Sequence, residues 1–132
     1  MMASQSRSAA QAFLTKSQEY LASATDNMIS ERLTAASGDA IHAGICAKDA
    51  IVMVLVGSVT KHKDHSQATA DLKRALGKRA ETPEAERALR ELVAAKPVVE
   101  YGTELVALPR ARALVRRAQY LVNLAAAIMQ FG

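Results

Sequence analysis

Hydrophobic residues recur along this chain at the three- and four-residue spacing of amphipathic helices, not at the alternating spacing of strands. They fall into five segments separated by glycine, proline and helix-capping residues, which predicts five helices joined by short loops. The predicted helices cover residues 4–25, 31–56, 64–76, 82–96 and 108–129. Helices of this length with short connections favour an all-α fold, an antiparallel bundle of about five helices.

The segment Ile41–Gly57 is the most apolar part of the chain, and no side of the helix it predicts is convincingly polar. Helix 2 is therefore expected to be central and covered by the other helices, by a partner chain, or by both. Its uninterrupted apolar run is shorter than the roughly 18 residues that a membrane span needs. We therefore expect no membrane-spanning segment.

The predicted breaks between helices rest on a few residues. The chain is expected to leave helix 1 at Asp26–Ser30, and either Asp26 or Ser30 could begin helix 2. Gly57 and Gly77 are expected to end helices 2 and 3. Pro97 disfavours helical geometry at the residue before it, so helix 4 is expected to stop there or to kink.

Composition narrows the class of protein. The 132 residues suit a single domain over residues 1–132, with a flexible N-terminus of about residues 1–5. Half of the residues are hydrophobic but only five are aromatic, so the core must be built from Ala, Leu, Val and Ile. The single cysteine allows no disulfide within the chain, and the N-terminus lacks the apolar core of a signal peptide. Together these features predict a cytoplasmic protein.

Positive charge is concentrated in one segment. The whole chain has a formal charge of +4, and Lys61–Arg79 alone carries six basic and two acidic residues. Such a segment is compatible with binding to nucleic acid or to an acidic partner. The alternative is a solvated surface of lysine and arginine with no partner.

His42, Cys46 and Asp49 share one side of helix 2, which raises the question of a metal or catalytic site. His42 and Asp49 are seven residues apart, about 10 Å along the helix axis. They cannot ligate one ion without help from another helix. Pairing of polar groups within the core is the alternative, and no metal or cofactor is predicted.

The loop after helix 2 contains a second cluster, Lys61-His62-Lys63-Asp64-His65. It precedes a predicted helix, and helix N-termini favour anions, so it could contact phosphate. An exposed capping loop is the alternative. The chain has no glycine-rich phosphate loop and no serine elbow, so no common enzyme class is indicated.

The order of several motifs resembles a known family. SGDAIHAGICAKDAI lies on the central helix, DHSQA opens the next helix, and LRELVAAKPVVEYG ends helix 4. A last helix rich in arginine and alanine follows. This order is similar to that of the HEPN domain (higher eukaryotes and prokaryotes nucleotide-binding), in its small stand-alone bacterial form. The resemblance covers roughly Phe13 to Met129.

The resemblance implies a bundle of about five helices that commonly forms a homodimer. Many members are metal-independent ribonucleases, often toxins of toxin–antitoxin pairs, with an arginine and, four to six residues later, a histidine at the end of the fourth helix. Here Lys96 and Tyr101 stand at those two positions. Lysine holds phosphate only as a point charge, and tyrosine is a poor general base at neutral pH.

The leading hypothesis is therefore a non-catalytic, HEPN-like homodimer that binds a nucleotide, nucleic acid or a protein partner. The resemblance also implies a role in a toxin–antitoxin or defence locus. The residues expected to line its binding surface are Lys61, Lys63, His65, Lys96 and Tyr101. His42 and Asp49 are expected to contact the residues of that surface without touching the ligand themselves.

Two alternatives stay open. One is a ribonuclease in which Lys96 binds phosphate and Tyr101 or His65 moves the proton. The other is a purely structural module for protein–protein interaction.

Overall fold

The computed structural model describes residues 3–59 and 66–131, and the secondary structure in these ranges is helical. The helices are α1 (Ala3–Ile29), α2 (Leu33–Val56), α3 (Ser66–Leu76), α4 (Thr82–Tyr101) and α5 (Leu108–Phe131). The predicted all-α bundle of about five helices is confirmed. None of the described helices is both long enough and apolar enough to cross a membrane.

Contacts between helices give their directions. Ser6 lies beside Gly57 and Ser23 beside Asp39, so α1 and α2 run antiparallel. The antiparallel pairing of α4 with α5 follows from the short connection between them. Helix α2 contacts each of the other four helices, and it occupies the central position that its apolar sequence predicts.

The core is aliphatic and rich in alanine, as the shortage of aromatic residues predicts. Its largest fully buried apolar side chains are Ile41, Ile51, Leu72, Leu89, Leu92 and Leu121. Small residues on α2 let the neighbouring helices approach. A Cβ added at Gly44 would overlap the Leu92 side chain of α4 and touch Leu121 of α5. Further along, Gly38 faces Val99 of α4, so α2 and α4 are antiparallel.

The first predicted break is misplaced. Helix α1 continues through Asp26 to Ile29, and the chain turns at Ser30–Arg32, where Glu31 has a φ of 60°. Asn27 explains the difference, because its side chain donates a hydrogen bond to Asp39 and accepts one from Arg32. Asn27 therefore ties the last turn of α1 to α2 and to the turn that precedes it. Arg32 precedes α2 without a side-chain capping bond.

The predicted stops at Gly57 and Gly77 are confirmed, since both glycines have positive φ. The Gly57 N–H donates to the carbonyl oxygens of Val52 and Met53, which closes the end of α2.

Pro97 does not end α4, which continues to Tyr101. Of the two predicted outcomes, termination at Pro97 is wrong. The last turn is held by contacts with α2, because Val99 packs against the core near Gly38 and Glu100 reaches His42. These tertiary contacts outweigh the backbone hydrogen bond that proline cannot donate.

Candidate functional site at the end of α4

Three polar side chains from two helices contact one another in a row at the end of α4, which we call the His42–Glu100–Lys96 chain. Glu100 Oε2 lies 2.5 Å from Lys96 Nζ, and Glu100 Oε1 lies 3.0 Å from His42 Nε2. The carboxylate therefore bridges the ammonium of α4 and the imidazole of α2. We call the segment Lys96–Gly102 the α4 corner.

Helix geometry explains half of this arrangement. Lys96 and Glu100 are four residues apart, so they meet on one face of α4. Packing explains the other half. Gly44 lies two residues after His42 on α2, and its lack of a side chain allows α4 to approach closely enough for Glu100 to reach the imidazole.

The charges of this chain are largely matched already. The Lys96 side chain is only 17% exposed, and Glu100 neutralises its ammonium. Glu100 Oε1 makes no hydrogen bond of good geometry with any described residue, so its contact with His42 is a close electrostatic approach. The His42 side chain is 43% exposed, so the imidazole is the member of the chain most open to a ligand.

Tyr101 is the outermost residue of the corner. It is 77% exposed, and Lys96 Nζ lies 5.9 Å from the centre of its ring, at the outer limit of a cation–π contact. The next residue, Gly102, donates its N–H to the Val98 carbonyl oxygen. A Cβ at Gly102 would lie 2.5 Å from that oxygen, so a side chain there would displace the corner.

His42 also lines a groove between α1 and α2, which contains no residue of the α4 corner among its lining. Its volume is about 500 Å³, and its lining includes Lys16, Tyr20, Asp39, His42 and Cys46. The Tyr20 and His42 rings form its aromatic wall, with centroids 5.3 Å apart and planes tilted by 31°. The groove and the α4 corner therefore share one histidine.

Cys46 lines this groove as a weakly acidic thiol. Burial raises its pKa, and the nearby Asp49 carboxylate raises it further, while Lys16 and Lys48 lower it in part. A thiol with a raised pKa is a poor nucleophile at neutral pH, so Cys46 is not a candidate for covalent chemistry.

Apolar side chains surround the α4 corner on the surface. Eight large hydrophobic residues among those described are exposed, and five belong to this end of the bundle: Ile29, Val98, Tyr101, Leu105 and Leu108. The loop that carries Leu105 is fastened to α2, because the Val106 N–H donates to the Thr34 hydroxyl at 3.0 Å. Clusters of exposed apolar residues on a small protein mark interaction surfaces.

The residues predicted for the site fall in three places. Lys96 and Tyr101 share the corner with His42, which touches Glu100 as a supporting group would. Asp49 is remote from it and contacts the buried Lys48 instead. The predictions for Lys61, Lys63 and His65 lie outside the described residues.

The described part of the basic segment does not adjoin the corner. Lys73 lies 3.9 Å from Glu86, near the start of α4. Glu86 and Lys96 are ten residues apart, about 15 Å along the helix axis. Lys73 and Lys96 therefore do not belong to one continuous basic surface.

Sequence reasoning missed Glu100, Tyr20 and Asp39. Glu100 had a local signal, because it follows Lys96 at the spacing of a helical ion pair, but a helix ending at Pro97 hides that signal. Tyr20 and Asp39 had none, since only the packing of α1 on α2 places them beside His42.

Within the described ranges, no group of three or more His, Cys, Asp or Glu residues could hold a metal ion. No family model, curated protein or solved structure matches the chain. Its likeness to the HEPN domain therefore stays a prediction based on the motifs quoted above.

Proposed function

We propose that this protein is a non-enzymatic, HEPN-like homodimer that binds single-stranded nucleic acid at the α4 corner. The observation that carries the proposal is the His42–Glu100–Lys96 chain with the exposed Tyr101 at its edge. A role in a toxin–antitoxin or defence locus would follow from the family resemblance alone.

The aromatic residues support a nucleic-acid ligand. Three of the five aromatic residues of the chain are exposed, and two of these three lie near the candidate site: Tyr20 beside His42 and Tyr101 near Lys96. Proteins that bind single strands combine such rings, on which bases stack, with cations that contact the backbone. RNA is bound in this way where its bases are unpaired.

The exposed apolar residues support the homodimer. Val98 in the corner and Leu105 in the loop that follows it are both exposed, and water contact at both is unfavourable in a monomer. In the proposed dimer these residues meet across the two-fold axis. The two corners then face a shared cleft, with Tyr101 of each chain on its walls.

The state of Lys96 supports binding without catalysis. A phosphate-cleaving site needs a cation that is free to stabilise the charge developing on phosphate. Lys96 is mostly buried and held by Glu100, so its ammonium can contribute one contact to a bound phosphate but is not free to move onto the charge that develops during cleavage.

Binding of labelled single-stranded RNA at two salt concentrations tests the proposal. We expect Tyr101→Ala and Lys96→Ala to weaken binding by about tenfold each, in line with the loss of one stacked base or one charged contact. Phe131→Ala and Arg87→Ala are matched controls, because they remove an exposed aromatic residue and an exposed cation away from the corner. Equal effects of corner and control variants, or no binding at low salt, would refute the proposal.

The dimer has a separate test. Light scattering at micromolar concentration should give the mass of two chains for the parent protein and of one chain for Leu105→Glu, because a charge would be buried at the contact. A monomeric parent protein would contradict the dimer. A dimer without RNA binding would favour the structural interaction module.

The contact between His42 and Glu100 favours one second candidate, a metal-independent ribonuclease. A carboxylate beside an imidazole is the arrangement that orients a general base, and here Lys96 lies on the same carboxylate. In this reading His42, in place of Tyr101 or His65, moves the proton. Cleavage of RNA in EDTA by the parent protein, lost in His42→Ala, would replace the binding proposal with this one.

A further inference from the structure

We propose that the α1–α2 groove is a binding site for one unpaired nucleobase that carries an exocyclic amino group. This inference rests on the proposed function and specifies which part of a nucleic acid lies beside His42. It assigns the phosphate to the α4 corner and the base to the groove that the same histidine lines.

The groove has the size and the wall that a base requires. Its volume of about 500 Å³ lies within the range of small-molecule sites. Tyr20 is 39% exposed and lies against His42, so the two rings form a partly open platform. Tyrosine and histidine are among the side chains on which unpaired bases stack.

Asp39 supplies the discrimination between bases. Its Oδ2 accepts hydrogen bonds from Ser23 Oγ at 2.6 Å and from Asn27 Nδ2 at 2.9 Å, which fixes the carboxylate on the groove wall. Among the described residues, no donor reaches Asp39 Oδ1, which is not a buried atom. The fixed carboxylate therefore presents one unoccupied acceptor to whatever enters the groove.

A single fixed acceptor selects for a donor on the base edge. Cytosine and adenine present an exocyclic amino group, whereas uracil presents carbonyl oxygens on both sides of its one ring N–H. A carboxylate oxygen repels those carbonyls. The groove should therefore prefer cytidine over uridine, although the two nucleosides have nearly the same size and shape.

The hydrogen bonds that hold Asp39 make a sharp test available. In Asp39→Asn the side-chain oxygen should stay at the Oδ2 position, because Ser23 and Asn27 both donate there. The new amide NH₂ then takes the Oδ1 position and presents donors to the groove. The preference should reverse, because uracil can accept from that group and the cytosine amino group cannot.

The experiment measures cytidine and uridine binding by NMR, together with binding of oligocytidylate and oligouridylate of equal length. The parent protein should prefer the cytosine ligands by about fivefold or more, the discrimination expected from one base-edge contact. Asp39→Asn should prefer the uracil ligands, and Tyr20→Leu should weaken both classes while Tyr20→Phe retains them. Asp26→Asn, an exposed change of the same charge on α1, is the control and should leave the preference intact.

The nucleoside measurements separate this inference from the proposed function. Oligonucleotide binding without base preference, unaltered by the Tyr20 and Asp39 variants, would overturn the base site and leave the proposed function standing. Cytidine-selective shifts at Tyr20 and His42 without oligonucleotide binding would support the base site and overturn the proposed function. If neither ligand class binds, both are refuted.

Discussion

A lysine–carboxylate pair lies at each half of α2, but the two pairs differ in their surroundings. At the N-terminal half, His42 contacts Glu100, which pairs with Lys96 along α4 at a partly open surface. In the C-terminal half, Lys48 contacts the adjacent Asp49 and its side chain is only 6% exposed. The first arrangement joins two helices beside an exposed tyrosine, whereas the second is enclosed in the bundle. The two pairs therefore differ in access to solvent rather than in the presence of opposite charges, and only the first lies at the candidate site.

Disruption of the buried Lys48–Asp49 pair should have the largest effect on the free energy of unfolding. Asp49→Ala leaves the Lys48 ammonium buried without its carboxylate, and we expect a loss of about 3 kcal/mol in the free energy of unfolding. The double variant Lys48→Met/Asp49→Ala removes both charges and should recover most of that loss. Urea denaturation of the parent protein and both variants measures the difference. If the double variant is no more stable than Asp49→Ala, the loss does not come from the unpaired charge.

The corner should contribute less to stability. Glu100→Ala removes the partner of Lys96 and His42, and we expect a loss of about 1–2 kcal/mol, because these groups are closer to water. Glu91→Ala, which removes another partly exposed carboxylate of α4, one that pairs with Arg117, is the matched control. A loss for Glu100→Ala as large as that for Asp49→Ala would remove the contrast between the two halves.

Substitution of alanine at two glycines of α2 should change the stability of the fold in opposite directions. Gly44→Ala forces the buried Leu92 side chain to move, and we expect destabilisation of about 1–2 kcal/mol. Gly38→Ala meets only Val99 Cγ1 at 3.9 Å, so its better helix propensity should stabilise the fold by about 0.5–1 kcal/mol. Thermal unfolding of the two variants measures both shifts. Stabilisation by Gly44→Ala would show that α4 does not need its close approach to α2.

The smallest expected effect is on the reactivity of Cys46, which lies between His42 and Asp49 on α2. Because burial and the Asp49 charge raise the pKa of the thiol, its thiolate should form at higher pH than in an unfolded chain. Asp49→Asn removes one of these causes and should lower the pKa, so alkylation of Cys46 at mildly alkaline pH should be faster in the variant. The rates should converge at high pH, where both thiols are ionised. A difference that persists there would indicate greater accessibility rather than altered charge.

Helix periodicity and composition were enough to predict the all-α bundle, the central position of α2 and the glycines that end α2 and α3. These features can be read from a linear sequence, because they depend on the spacing of apolar residues and on glycine, the residue that most readily adopts a positive φ. The boundaries at Asp26 and Pro97 were mispredicted because tertiary contacts outweighed local preference. Asn27 bonds to Asp39 and holds α1 helical past Asp26, and Glu100 reaches His42 beyond the proline.

By itself, the sequence determined the fold class and the presence of Lys96, Tyr101 and His42, because these follow from periodicity and from the order of residues. Only the tertiary structure decided that His42 lies between two surfaces, the α4 corner with Glu100 and the groove with Tyr20 and Asp39. The physical reason is that each surface is built across helices. Close packing at Gly44 brings Glu100 to the imidazole, and the antiparallel pairing of α1 with α2 brings Tyr20 to it. Neither distance is set by spacing along the chain.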